Sequence, residues 1–236
     1  MLRVIDLTLP VRNGMRGVEI APLHTVAGEG WNSSVLHLYS HSGTHMDAPR
    51  HFGVGDGSVD RISLDCCLGP AWVVDLTGIA PKALITAGHL GPVAAKAKPD
   101  DGLLLRTGWG AHADRPDLYR DQLPRVGTRL AEWCVERRVR VLGVEPPSVA
   151  DVNNLDEVTA VHRILLGGGV IIVEGLTNLD ALRHDRVFFG AVPLKIDDGD
   201  GSPCRAFALE GEAAAALFPR RPTEPGSFTP TAGGAG

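Results

Sequence analysis

Eight short apolar runs, each cut off by glycine, proline or a small polar residue, constrain this chain more than any other feature. They cover 4–9, 35–41, 71–76, 102–106, 140–144, 170–174, 187–191 and 205–209. Runs this short, rich in Val, Ile and Leu, have the pattern of β-strands, and the 29 glycines and 17 prolines supply the breaks. Two segments carry helical periodicity. Residues 127–138 place Leu130, Trp133, Cys134 and Arg137 on one side. Residues 155–166 start after Asn154 as N-cap, with Glu157 three residues on as in a capping box, and stop at Gly167. A weaker helix is expected between 87 and 98. Many strands with few helices predict an α/β chain built as a single domain with a mixed β-sheet.

Composition narrows the function. With 44% hydrophobic and 22% charged residues, the chain reads as a soluble globular protein with a sizeable core. A net charge of −5 gives no basic footprint for nucleic acid. The densest positive group, Arg137, Arg138 and Arg140, reads as a helix end, where cations offset the macrodipole. The N-terminus reaches Asp6 too early for a signal peptide, and no apolar stretch approaches the roughly 20 residues of a membrane span. The cysteines, Cys66, Cys67, Cys134 and Cys204, form no C-x-x-C pair and read as reduced thiols of a cytoplasmic protein. Residues 222–236 are Pro, Gly, Ser and Thr with little to bury, so a disordered tail is expected after a domain at 1–221.

Four of the nine histidines, His37, His41, His45 and His51, fall within fifteen residues. Crowded neutral imidazoles would each need a hydrogen-bond partner, and a shared cation supplies a reason for the crowding. Alternation through 35–41 leaves His41 at a strand end, with His37 on the same face as outer support or packing. Ser42-Gly43-Thr44 reads as a turn, and Pro49 discourages helix through Ala48, so His45 and Asp47 belong to an extended segment wrapping a site. His41, His45 and Asp47 can then converge on zinc or manganese and leave positions open for water and substrate.

The string His41-x-Gly43-Thr44-His45-x-Asp47-x-Pro49-x-His51-Phe52 resembles the cyclase family of metal-dependent hydrolases, which includes kynurenine formamidases and isatin hydrolases. Segments 104–109, 143–148, 174–176 and 193–203 are similar to that family in the same order. The resemblance implies a swivelling β/β/α-type fold and a homo-oligomer, dimer or tetramer. It implies His41, His45 and Asp47 as metal ligands and His51 as the catalytic histidine. It also implies that Asp47 bridges to a second ion held by His162 and Glu174, giving one or two ions, zinc or manganese. The residues agree with this second pair. His162 lies beside Val158, Val161 and Leu165 on the expected helix, and Glu174 ends an apolar strand, where an unpaired carboxylate is costly.

The chemistry expected is hydrolysis of a small amide, arylformamidase-like, by a metal-activated water with His51 as general acid and base. The alternatives are opening of a cyclic amide or lactone, a cyclase or dehydratase step, and a non-catalytic metal-binding module. Trp31, Phe52 and Trp109 line either an aromatic pocket or the core. Arg106 pairs either a substrate carboxylate or a structural acid such as Glu145. Ser42 lies outside any Gly-x-Ser-x-Gly nucleophile motif, and Gly167-Gly-Gly169 is a helix-to-strand turn rather than a phosphate loop.

Overall fold

The computed structural model describes residues 1–217, so the tail at 222–236 and the boundary expected at 221 lie outside the described residues. The strands in chain order are β1 (Arg3–Asp6), β2 (Val18–His24), β3 (Ser33–Leu38), β4 (His45–Asp47), β5 (Leu68–Asp75) and β6 (Leu84–Ile85). They continue with β7 (Gly102–Arg106), β8 (Arg125–Val126), β9 (Val141–Val144), β10 (Ile171–Glu174), β11 (Arg186–Pro193) and β12 (Gly201–Glu210). One sheet has the order β1-β12-β11-β5-β7-β9-β10-β4, and a further pairing of β12 with β4 closes it into a barrel. β1 is left as a flange on β12.

The sheet is mixed, as the sequence predicts. β5, β7, β9 and β10 run parallel, and the other pairings of the ring are antiparallel. Parallel strands are covered on both faces, which is why 102–106 and 140–144 are apolar without alternation. Leu104, Val73, Val141, Ile171 and Val173 point into the barrel, where Ala71, Ala206 and Ala208 share the space with Phe189 and Met46. Leu103, Leu105, Leu142 and Ile172 point outward. They pack under the helices Thr128–Glu136 and Leu155–Gly167, which contribute Leu130, Cys134, Val161 and Leu165.

Some expectations change. The segment 87–98 forms two short turns, Ala87–Leu90 and Val93–Lys96, because Gly91 at φ 50° and Pro92 interrupt it. Arg140 is not at a helix end: it is buried and donates to the carbonyls of Cys66 and Asp100 at 2.7 and 3.2 Å. Asn154 caps its helix as predicted, accepting from the Glu157 amide at 3.1 Å. The Glu157 carboxylate instead pairs with Arg125 at 2.8 Å. β2 and β3 form a separate ribbon, on which His37 is exposed. Among the described residues, no helix is long and apolar enough to cross a membrane.

β4 decides where chemistry can occur. Its three residues are all buried, and Met46 enters the barrel interior. Strand alternation therefore turns His45 and Asp47 to the outer face. There His45 lies opposite Glu174 and Asp47 opposite Ile172, beneath the helix Leu155–Gly167.

Candidate metal centre

Local chemistry sets each side chain. Gly43, at φ 61°, lets the chain turn between His41 and β4. Thr44 ties this turn to the end of β10, donating from Oγ1 to the Gly175 carbonyl at 2.5 Å. His45 donates from Nδ1 to the Gly43 carbonyl at 3.0 Å, and His162 donates from Nδ1 to the Val158 carbonyl at 2.7 Å. Each bond fixes a tautomer and turns a bare Nε2 inward, as metal-binding imidazoles require.

Those nitrogens meet two carboxylates. His45 Nε2 lies 3.2 Å from Glu174 Oε2 and 3.5 Å from Asp47 Oδ1. His162 Nε2 lies 3.4 Å from Glu174 Oε1 and 3.5 Å from Asp47 Oδ2. His41 Nδ1 approaches Asp47 Oδ1 at 2.9 Å. Two sets of three share Asp47, namely His41–His45–Asp47 and Asp47–His162–Glu174, with one ligand atom from each residue lying within 4.8 Å of the others. A third set, His41–His51–Asp200, has its ligand atoms equally close but is less buried and lies beside the first two.

The electrostatics demand positive charge. Asp47 is 1% exposed and Glu174 is 3% exposed. Two ionised carboxylates with oxygens within 4.8 Å repel by at least about 3.5 kcal/mol at an effective dielectric of about 20. Burial alone would raise the Glu174 carboxyl, yet His162 and His45, which take a second proton on Nε2 when no cation lies between them, hold it far below the usual range. For His41, burial disfavours the charged ring, but Asp47 and Asp200 outweigh it and push the pKa to about 9. Asp47 Oδ2 is buried without a hydrogen-bond partner among the described residues. An orphaned, fully buried carboxylate oxygen is expensive, and a divalent cation is the partner that this set of nitrogens and oxygens fits.

His51 sits beside these sets. Its ring stacks on His41 with centroids 3.8 Å apart and meets Phe52 edge-on at 4.5 Å. Phe52 stacks on His162 at 4.3 Å. Burial, the largest influence, lowers the His51 pKa and favours the neutral ring.

Not every expected residue arrives here. Trp31 is exposed beyond the end of the β2–β3 ribbon, stacked on His24. The five steps of β3 alone carry it about 17 Å from the ribbon's base. Trp109 is buried against Leu9, Tyr119 and Leu123 and donates to the Tyr119 carbonyl at 2.8 Å, so it is a core residue. Arg106 pairs with Asp75, its cross-strand partner, at 2.6 Å rather than with Glu145. Glu145 instead receives the backbone amides of Thr107 and Trp109 at 2.7 and 3.2 Å. Asp200 was missed: it approaches His41 Nε2 at 3.0 Å and His51 Nδ1 at 3.6 Å. It lies in the 193–203 segment, whose likeness to the family was the only sequence signal.

A kynurenine formamidase from Salinibacter ruber is 32% identical over 177 residues, 74% of this chain and 78% of that protein. One from Bordetella petrii is 31% identical over 181 residues, 76% of this chain and 81% of that protein. The solved structure of isatin hydrolase A from Ralstonia solanacearum superposes with a TM-score of 0.81 at 25% identity, covering 89% of this chain and 92% of the other. The Cyclase family model matches residues 5–151, more than half of the sequence, and the chain belongs to that family.

Proposed function

We propose that this protein is a metal-dependent hydrolase that cleaves a small non-peptide amide, as its kynurenine formamidase relatives are named for doing. The observation that carries the reading is the buried Asp47 carboxylate, which two ligand sets share and whose Oδ2 has no hydrogen bond among the described residues. His41, His45 and Asp47 hold one ion, and Asp47, His162 and Glu174 can hold a second. Bound there, zinc or manganese supplies Lewis acidity for the scissile carbonyl and the attacking water.

The chain's own residues do the rest. His51, neutral near pH 7, takes the proton from the water and returns it to the leaving nitrogen. Phe52 covers one flank of His51 and His162 and lines the substrate pocket. A cyclic amide is the second reading, favoured by the isatin hydrolase likeness. The same proton transfers serve it, with the leaving nitrogen tethered to the product.

The exposed apolar residues of the ribbon and its tip, Leu23, Val26, Trp31 and Leu36, support a homo-oligomer. Cys67 and Cys134 are buried, with thiols that burial pushes up to about 11 and about 12, which suits the reducing cytoplasm. The test is turnover of N-formylkynurenine, isatin and simple lactones by zinc- or manganese-loaded protein. His51→Ala should keep its metal and lose roughly 10²–10⁴-fold in kcat. Absence of turnover of any amide by the loaded wild type would defeat the proposal.

A further inference from the structure

We propose that Asp200 is a positioning residue whose single carboxylate orients both the metal ligand His41 and the acid–base residue His51. The inference rests on the hydrolase reading above and adds a residue to it.

The argument begins with the two nitrogens of His41. A neutral imidazole has one N–H and one lone pair. Nδ1 faces Asp47 Oδ1 at 2.9 Å, inside the first ligand set. Nε2 faces Asp200 Oδ2 at 3.0 Å. With the lone pair of Nδ1 turned to a cation, Nε2 carries the proton and donates it to Asp200. A carboxylate behind a ligating imidazole fixes its tautomer and raises its basicity. His45 and His162 take this support from backbone carbonyls, and His41 is the member of the ligand sets that takes it from a side chain.

The same Asp200 oxygen lies 3.6 Å from His51 Nδ1, and the rings of His41 and His51 stack 27° from parallel. Asp200 therefore faces the Nε2 side of one stacked ring and the Nδ1 side of the other. At 3.6 Å the second is a charge contact rather than a hydrogen bond, and it favours a proton on the Nδ1 of His51, with Nε2 free for proton transfer.

The carboxylate is held there by the fold, although its side chain is 45% exposed. The Asp200 carbonyl accepts from the Ala48 amide at 3.0 Å, and the Gly199 carbonyl accepts from the Val59 amide at 2.9 Å. Asp198 receives both Arg50 nitrogens at 2.8 Å. These contacts clamp the loop before β12 to the segment 48–59, which carries His51, where β12 closes the barrel on β4.

The experiment compares wild type, Asp200→Ala and Asp200→Asn. It measures zinc affinity by competition with a chromophoric chelator, the kcat and KM of zinc-saturated protein, and the Tm of metal-free protein. Asp200→Ala should weaken zinc binding by roughly 10–100-fold and lower kcat at saturating zinc while leaving KM within about twofold. Its metal-free Tm should stay within about 2 °C, because an exposed carboxylate contributes little to folding. The amide oxygen of Asp200→Asn accepts the same N–H and should recover most of the lost affinity. Wild-type zinc affinity and kcat in Asp200→Ala would overturn the inference. So would loss of a whole zinc equivalent, which would make Asp200 a direct ligand. If wild type binds zinc but hydrolyses nothing, the hydrolase reading fails, while the affinity comparison still decides the role of Asp200.

Discussion

Adding one methyl group at Gly201 should dislodge a metal ligand without touching its chemistry. A Cβ at Gly201 would stand 2.6 Å from His41 Cε1 and 2.9 Å from the Met46 carbonyl oxygen. The carbonyl belongs to β4 and is fixed by the β12–β4 pairing, so the imidazole has to give way. Carbon atoms settle at about 3.5 Å or beyond, so the ring must retreat by about 0.9 Å. Metal–ligand distances tolerate only about 0.2 Å. Zinc affinity in Gly201→Ala should therefore fall by at least ~10–100-fold, the scale set by loss of a ligand's support. Overpacking should also cost about 1–3 kcal/mol, or roughly 2–12 °C in Tm for a chain of this size. Chelator competition reads the first effect and calorimetry the second. Gly167→Ala is the control, because its new methyl would meet the Val54 side chain no closer than 3.8 Å, an ordinary contact. It should bind zinc like wild type. Wild-type zinc affinity in Gly201→Ala would refute the placement of His41 in the ligand set.

Arg106→Leu should leave KM unchanged, since its guanidinium is committed to Asp75. The Arg106 hydrogen bond, then those from Thr77, hold the Asp75 carboxyl below the usual carboxylate range. A depressed folded pKa stabilises above the unfolded value near 3.9 and loses that contribution as pH falls through the folded value. The Tm gap between wild type and Arg106→Leu should thus be widest above about pH 5 and narrow toward pH 2. For a pair this exposed it should be only about 1–3 °C, and a gap that widens in acid would contradict the pairing. Trp109→Phe strips the Tyr119 carbonyl of its donor and opens a small void, so Tm should fall by roughly 2–10 °C with KM unaltered. A raised KM at unchanged Tm would return Trp109 to the substrate pocket.

The centre was legible where its logic is local. His41, His45 and Asp47 fall within one turn and one short extended segment, and alternation alone places His45 and Asp47 on one face. His162 and Glu174 came from the resemblance to the cyclase family, and helical spacing beside Val161 and Leu165 and a place at the end of a buried strand agreed with them. Asp200 was hidden because barrel closure, across a separation of 159 residues, brings it to His41. β4 itself, three residues long, is too short to show a strand pattern. The aromatic residues could not be sorted from sequence, since a pocket and a core make the same demand for apolar surface: Phe52 stacks on His162, Trp109 packs beneath Leu9, and Trp31 stands on the ribbon tip. Arg106 was ambiguous until strand register put Asp75 opposite it.

The most direct test is the metal content of Asp47→Asn after loading with zinc or manganese, set beside wild type under the same conditions. The substitution keeps the shape of the side chain and removes the charge that both ligand sets share. Wild type should hold the ion through buffer exchange, and Asp47→Asn should come out metal-free although folded. A folded Asp47→Asn protein with the full wild-type complement of metal, equally tightly bound, would contradict the account.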